Sequence, residues 1–439
     1  MERVERYALG PACVELAAYC AVSSLTAALW LAYSPIEQAC RDYYGWGRDV
    51  VPSLAAWGPG VSIALAGFVP RIVYALGGPS ETVTAASVFV AIAAAARCAF
   101  SAGWASVAAA HASCAINSFA GVLLLCTPSV LSREYFAPRH RVRATSTMLA
   151  ANQLGACLGF LGARAADRPE RVRPFFAVTA AVAAAVCVIC CFRHAAKRGT
   201  KRVGRGADDP LTDDAPLTDA SEDDGLPASR RGGVGALLGN GDYVALACGL
   251  GLSIGAFTGW QGVLYPILAP LGWSVRRASW LGFASGLGGT AAQLLAGFCV
   301  VDASEARSKR FVVSSVAVAA TCLGAFTLAL RVDAIPRTAA VAALVAYTFL
   351  IVGAEGVVYE AATDAVSPHL RTAAGAGLVL GFNGPATLFI LLSLAVPPFA
   401  LTCALCASTL VAVAVLATVW TRRQPPPVEG YLALDSQMT

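Results

Sequence analysis

The chain has 439 residues, of which 57% are hydrophobic and 13% charged, with a formal net charge of +5. Soluble domains carry about 25% charged residues, so this balance excludes an ordinary soluble enzyme or nucleic-acid-binding domain and points to a membrane protein. A hydrocarbon core of about 30 Å takes roughly 20 apolar residues per helical crossing, and reading for such runs predicts an all-α polytopic bundle of twelve spans, six and six.

The first six predicted spans are Cys13–Tyr33, Val50–Pro70, Thr82–Ser101, Trp104–Cys126, Ala144–Leu161 and Pro174–Phe192. Ser101–Gly103 is the weakest break, because Thr82–Leu131 can also be cut elsewhere, and eleven spans stand as the alternative. The N-terminal apolar run has no convincing cleavage site and reads as a retained helix. Most of the 32 Lys and Arg fall in segments that are cytoplasmic if the N-terminus is inside, so both termini and the central loop are expected there. Arg97, late in its span, is expected to snorkel to the outer interface.

Residues 1–192 thus form one six-helix unit, 193–241 a cytoplasmic linker, 242–420 a second unit and 421–439 a tail. The linker opens basic (Arg193–Arg205) and turns acidic (Asp208–Asp224), with "PLTDDA" followed at once by "PLTDAS". Such a charge-segregated, Pro-containing segment reads as disordered. Its Ser221-Glu222-Asp223-Asp224 patch is a candidate phosphorylation and sorting site.

The second six spans are Tyr243–Leu264, Ser279–Val300, Phe311–Leu330, Thr338–Val357, Thr372–Val396 and Phe399–Trp420. Beyond them, Arg422 and Arg423 anchor the tail, Pro425–Pro427 favours extended geometry, and Tyr431-Leu432-Ala433-Leu434 has the form of a clathrin-adaptor signal, with Tyr431 and Leu434 as its anchors.

Fifteen cysteines lie nearly all in spans, where Cys packs as a small hydrophobe. Only Cys40 is clearly extracellular, so no loop disulfide is expected. Cys187-x-x-Cys190 and Cys403-x-x-Cys406 lack nearby His, and no metal is expected. Cys190 and Cys191, beside Arg193, are acylation candidates. No Asn-x-Ser/Thr sequon occurs, and no catalytic or cofactor-binding motif is present, so neither an enzyme nor a cofactor is expected.

Five amides sit deep in the spans: Asn117, Asn152, Gln153, Gln293 and Asn383. An unpartnered amide in hydrocarbon costs several kcal/mol, so each needs either a neighbouring helix or a solute in a central cavity. Asn152 and Gln153 point about 100° apart and can hardly both face one packing partner. Gly155/Gly159, Gly282/Gly286 and Gly377/Gly381 form small-residue faces for close helix approach. Glu15 and Glu355 lie near predicted cytoplasmic span ends and are expected in a wet interface.

Two resemblances follow. "MLAANQLGACLGF" (148–160), "LSIGAFTG" (252–259) and "TAAGAGLVLGFNGPATLF" (372–389) resemble the fifth, seventh and last helices of the equilibrative nucleoside transporters, and the six-plus-six layout resembles the major-facilitator-like carriers. That resemblance implies a solute site at Trp30 and Asn117, among others. It also implies an Asp and an Arg at the positions occupied here by Ser285 and Gly289, so the nucleoside-holding charges are gone.

The whole chain is also similar to the polytopic, non-glycosylated envelope protein of alphaherpesviruses, in length, span count, acidic central loop, lack of sequons and Arg-over-Lys bias. This implies virion envelope and Golgi, endosomal or plasma membranes, with viral envelope proteins and clathrin adaptors as partners. The function expected first is a viral envelope protein that modulates fusion, envelopment or spread on a transporter-derived fold with altered or lost transport. The alternative is a facilitative carrier of nucleosides or similar small polar solutes.

Overall fold

The structure is a computed structural model and describes residues 9–47, 49–98, 103–166, 168–204, 234–300, 305–332, 334–393 and 395–421. The predicted sorting residues Tyr431 and Leu434, Ser221 and the acidic part of the linker lie outside the described residues. The described chain is helical, with no strand among its residues.

The first half comprises α1 (Leu9–Leu31), α2 (Ser53–Leu76), α3 (Pro79–Ala96), α4 (Gly103–Leu125), α5 (Pro138–Ala163) and α6 (Pro169–Gly204). The second comprises α7 (Gly241–Gly262), α8 (Val275–Cys299), α9 (Glu305–Ala329), α10 (Arg337–Asp364), α11 (Arg371–Leu392) and α12 (Pro398–Thr421). Backbone N–H and C=O groups in lipid must be satisfied within the segment, which is why apolar runs of this length become helices. Gly77 and Gly78 have φ of 97° and 125°, left-handed values that glycine adopts without a Cβ penalty, and they turn the chain from α2 into Pro79 at the start of α3. Asn240 caps α7, its Oδ1 accepting from the Tyr243 N–H at 3.0 Å while its Nδ2 donates to the Ala365 carbonyl at the end of α10.

Ten of these helices are long and apolar enough to cross a membrane by length and composition. The other two, α5 and α8, carry the fifth and eighth predicted spans; they are 26 and 25 residues long. Their lower hydropathy comes from arginines at their starts, the amides Asn152, Gln153 and Gln293, and the glycines of α8. Helices α3 and α4 are separate elements on either side of 99–102, which agrees with the predicted break there.

Each half has its own apolar core, one around Tyr19, Leu29, Val83 and Met148, the other around Phe257, Trp260, Phe326 and Tyr347. A smaller cluster joins the halves, with Val69, Val122 and Leu123 of α2 and α4 against Ala376 and Val379 of α11. Within the first half α5 lies on α1, where a Cβ at Gly155 or Gly159 would collide with the Ser24 or Ala28 backbone. The second half repeats the pairing of its first and fifth helices with the roles reversed. Gly251, Gly255 and Gly259 of α7 meet the backbone of Gly381, Phe382 and Ala386 on α11. Outward-facing Val178, Ile189 and Phe192 of α6, Leu295 and Phe298 of α8 and Leu410 of α12 form an exposed apolar surface suited to lipid.

Several expectations are corrected. The stretch Arg193–Gly204, expected disordered, continues α6, and at its start Arg193 donates to Glu15 Oε2 at 2.5 Å and to Thr84 Oγ1 at 2.8 Å. Glu15 is therefore buried and ion-paired rather than wet. Arg97 does not snorkel: it is 3% exposed, its Nε donates to Ser113 Oγ at 2.9 Å, and its guanidinium lies 4.6 Å from the centre of the Tyr33 ring. The aromatic cap of Tyr33 and Phe176 supplies the cation with π-faces instead of water. Cys190 is buried among the first-half helices, and only Cys191 is exposed for acylation, since neighbouring residues on a helix face different ways.

Candidate functional site

A cavity of about 140 Å³ lies between the halves. Its polar wall comes from Asn117 of α4, Asn152 and Gln153 of α5, Gln261 of α7, Glu355 of α10 and Asn383 of α11; Trp30 of α1 and Tyr359 of α10 add aromatic surface. Residues late in α1, early in α2 and late in α11 also line it, so it extends toward the end of the bundle where α1 finishes, here termed the distal end.

The amides divide by what holds them. Asn117 Nδ2 donates to the Thr26 carbonyl at 3.0 Å, leaving its buried Oδ1 without a partner. Asn152 Nδ2 donates to Ser23 Oγ at 3.1 Å, so its side chain ties α5 to α1 at the cavity edge. Asn383 Nδ2 donates one turn back along α11, to the Val379 carbonyl at 2.9 Å. Gln153 lines the cavity and makes no hydrogen bond among the described residues. The adjacent amides of α5 thus have different duties, as their angular separation requires.

Glu355, expected in a wet interface, instead lines this cavity, and Gln293 Nε2 donates to its Oε2 at 2.7 Å. The expectation failed because the apolar run stops near Val357 while the helix continues to Asp364, which places Glu355 deeper than hydropathy suggests. Gln293 itself is fully buried behind Glu355, outside the cavity wall. Ser285 is also behind the wall, donating to the Gly282 carbonyl at 2.9 Å and accepting from the cavity residue Gln261 at 3.4 Å. A Cβ at Gly289 would stand 3.0 Å from Val352 Cγ1, so this position belongs to the α8–α10 contact and holds no room for an arginine.

The remaining predicted glycines occupy varied surroundings. Gly286 faces the Cys157 sulfur of α5 across the two halves, Gly377 faces the Tyr243 hydroxyl, Gly381 approaches the Ala247 carbonyl, and Gly282 has only ordinary contacts. The glycine row of α7 was missed although "GLGLSIGAFTG" displays its four-residue spacing.

At the opposite, proximal end the halves are bound together. Glu360 of α10, 3% exposed, accepts from Ser132 Oγ at 2.7 Å and Thr145 Oγ1 at 2.5 Å, and pairs with Arg133 Nη2 at 2.9 Å. Arg133 and Ser132 lie on a short helix, Pro128–Tyr135, that follows α4. The same Arg133 reaches Asp364, and Thr363 Oγ1 donates to Ser129 Oγ at 2.9 Å. Around this network Gly356 and Gly297 accept Ser146 of α5 at close range, and Arg143 lies 4.5 Å from the Phe298 ring centre. One end is therefore sealed by polar and small-residue contacts while the cavity extends to the other.

No family model and no curated protein matches the chain in sequence. Among solved structures, it is similar to the major facilitator superfamily proton:xylose symporter XylE bound to 6-bromo-6-deoxy-D-glucose, with a TM-score of 0.64 over 94% of this chain and 96% of that one. The fold is major-facilitator-like. The identity is 13%, so the likeness is one of architecture. It bears out the predicted all-α, six-plus-six membrane bundle.

Proposed function

We propose that the chain is a carrier that moves small polar solutes across a membrane by rocking its two halves about the central cavity. The observation that carries this reading is a cavity walled by amides from both halves, extending toward one end while the Glu360 network binds the halves together at the other. An unpartnered Gln153 is suited to exchange hydrogen bonds with a passing solute, whereas Asn117 and Asn152 are held by the scaffold. With arginine-rich segments at the proximal end, that end is assigned to the cytoplasm.

The space of about 140 Å³ is close to that which admits one benzene-sized molecule. A nucleoside, a base joined to a sugar, is larger, and the positions of the nucleoside-holding charges lie outside the cavity wall. The reading therefore favours a compact solute over a nucleoside. The envelope-protein reading draws on length, layout and coding bias, and placement in a viral or Golgi-derived membrane is compatible with a carrier.

The test is uptake into proteoliposomes containing the purified chain, using radiolabelled compact polar solutes alongside uridine. Saturable uptake of a compact solute, abolished by Gln153→Leu in a folded variant, is expected. Uptake no faster than through protein-free vesicles across the whole panel would overturn the proposal.

A further inference from the structure

Among the described residues lining the cavity, Glu355 is the sole charged side chain; no Lys, Arg or His reaches the wall. Its one hydrogen-bond partner is the neutral amide of Gln293, and no described cation pairs with it. The contrast with the two buried carboxylates is direct: Glu15 has Arg193, and Glu360 has Arg133. A carboxylate facing a low-dielectric cavity without a counter-charge is costly to keep ionised, so a positive occupant that favours the ionised form is attracted and a negative one repelled.

The rest of the wall narrows the kind of cation. A bare metal ion takes a shell of oxygen ligands, whereas much of this wall is alkyl or aromatic, including Leu149, Val379 and Phe382. Trp30 and Tyr359 offer aromatic surface of the sort that attracts alkylated ammonium groups. Gln153, without a protein partner, can serve a hydroxyl on the same solute.

Building on the carrier reading, we propose that the solute is a compact organic cation, an ammonium group bearing a hydroxyl, with Glu355 as its counter-ion. The probe is choline, compared with its uncharged carbon isostere dimethylbutanol, which matches it in shape and keeps the hydroxyl. Binding of each to the purified full chain is measured in detergent, and uptake of each is followed in proteoliposomes.

The wild type is expected to bind choline at least tenfold more tightly than the isostere. Glu355→Gln should erase that preference and Glu355→Asp should retain part of it. Because the first comparison uses the unaltered chain, it stands even where a variant fails to fold. Equal binding of the two probes, or a preference that survives Glu355→Gln, would overturn the cation assignment. If neither probe binds while a neutral polyol is carried, the cation assignment fails and the carrier stands; if nothing in the panel binds or is carried, both fall.

Discussion

Arg133, on the short helix after α4, and Glu360, on α10, form a 2.9 Å ion pair across the two halves, with side chains 8% and 4% exposed. Removing one member of a buried pair strands the other's charge and costs about 3–5 kcal/mol. Arg133→Ala is therefore expected to lower the thermal midpoint in detergent more than Ser132→Ala, which removes a hydrogen bond to a charged acceptor worth about 1.5–3 kcal/mol. Equal midpoints for the two variants would show that the network does not hold the proximal end.

Gly155 sets how closely α5 approaches α1, since a Cβ there would overlap the Ser24 backbone. Gly155→Ala should force the helices apart and destabilise by roughly 1–3 kcal/mol, the range for overpacked cores. Gly324 of α9 has nothing within 4 Å, so Gly324→Ala should leave the melt unchanged or raise it slightly through helix propensity. Detergent melting of the pair checks both.

The two kinds of cavity amide are separable. Gln153→Leu removes no protein hydrogen bond and should leave stability within about 0.5 kcal/mol of the parent, as expected away from structural contacts, while solute binding falls. Asn117→Leu loses the bond to the Thr26 carbonyl, and is expected to lower the melting midpoint measurably. Parallel melting and solute-binding curves decide whether the effects divide in this way.

Arg97 ends in two buried nitrogens without hydrogen-bond partners, Nη1 and Nη2, while its flat face lies against Tyr33. Replacing a buried charge by a hydrophobe of similar volume is often neutral or stabilising. Arg97→Met should therefore keep or raise the melting midpoint. Arg97→Ala should lower it through a loss of about 2–5 kcal/mol of packing stability, the range for truncating long core side chains. A loss as large for Met as for Ala would mean that the charge itself is required.

The bundle was legible because crossing a bilayer demands long apolar runs, and these stand out even where their edges blur. Asn117, Asn152, Gln153 and Asn383 were visible as polar atoms in apolar helices, and all four line the cavity. Depth and direction were not legible. Glu355 read as interfacial because hydropathy marks where apolarity stops, while the helix goes on; Arg97 read as snorkelling because the rings that cover it come from Tyr33 and Phe176, far off in sequence. Ser285 and Gly289 lie on a recognised helix, yet only packing against α10 shows that they are turned from the cavity. The α7 glycine row was legible and overlooked.

Helices α5 and α8 are the two long helices that fall short of the apolarity of a membrane crossing, and they are also where the halves meet, with Cys157 against Gly286 and Ser146 against Gly297. During synthesis, a segment enters the bilayer readily when its own side chains favour lipid, and polar residues at its centre raise the cost of doing so alone. α5 therefore depends on α1 already being in place to receive its glycines and Asn152, and α8 depends on α5. That dependence predicts an ordered assembly, with α5 entering a seam that α1 has prepared and α8 following α5, so a lesion in α1 is expected to be felt as failed insertion of α5.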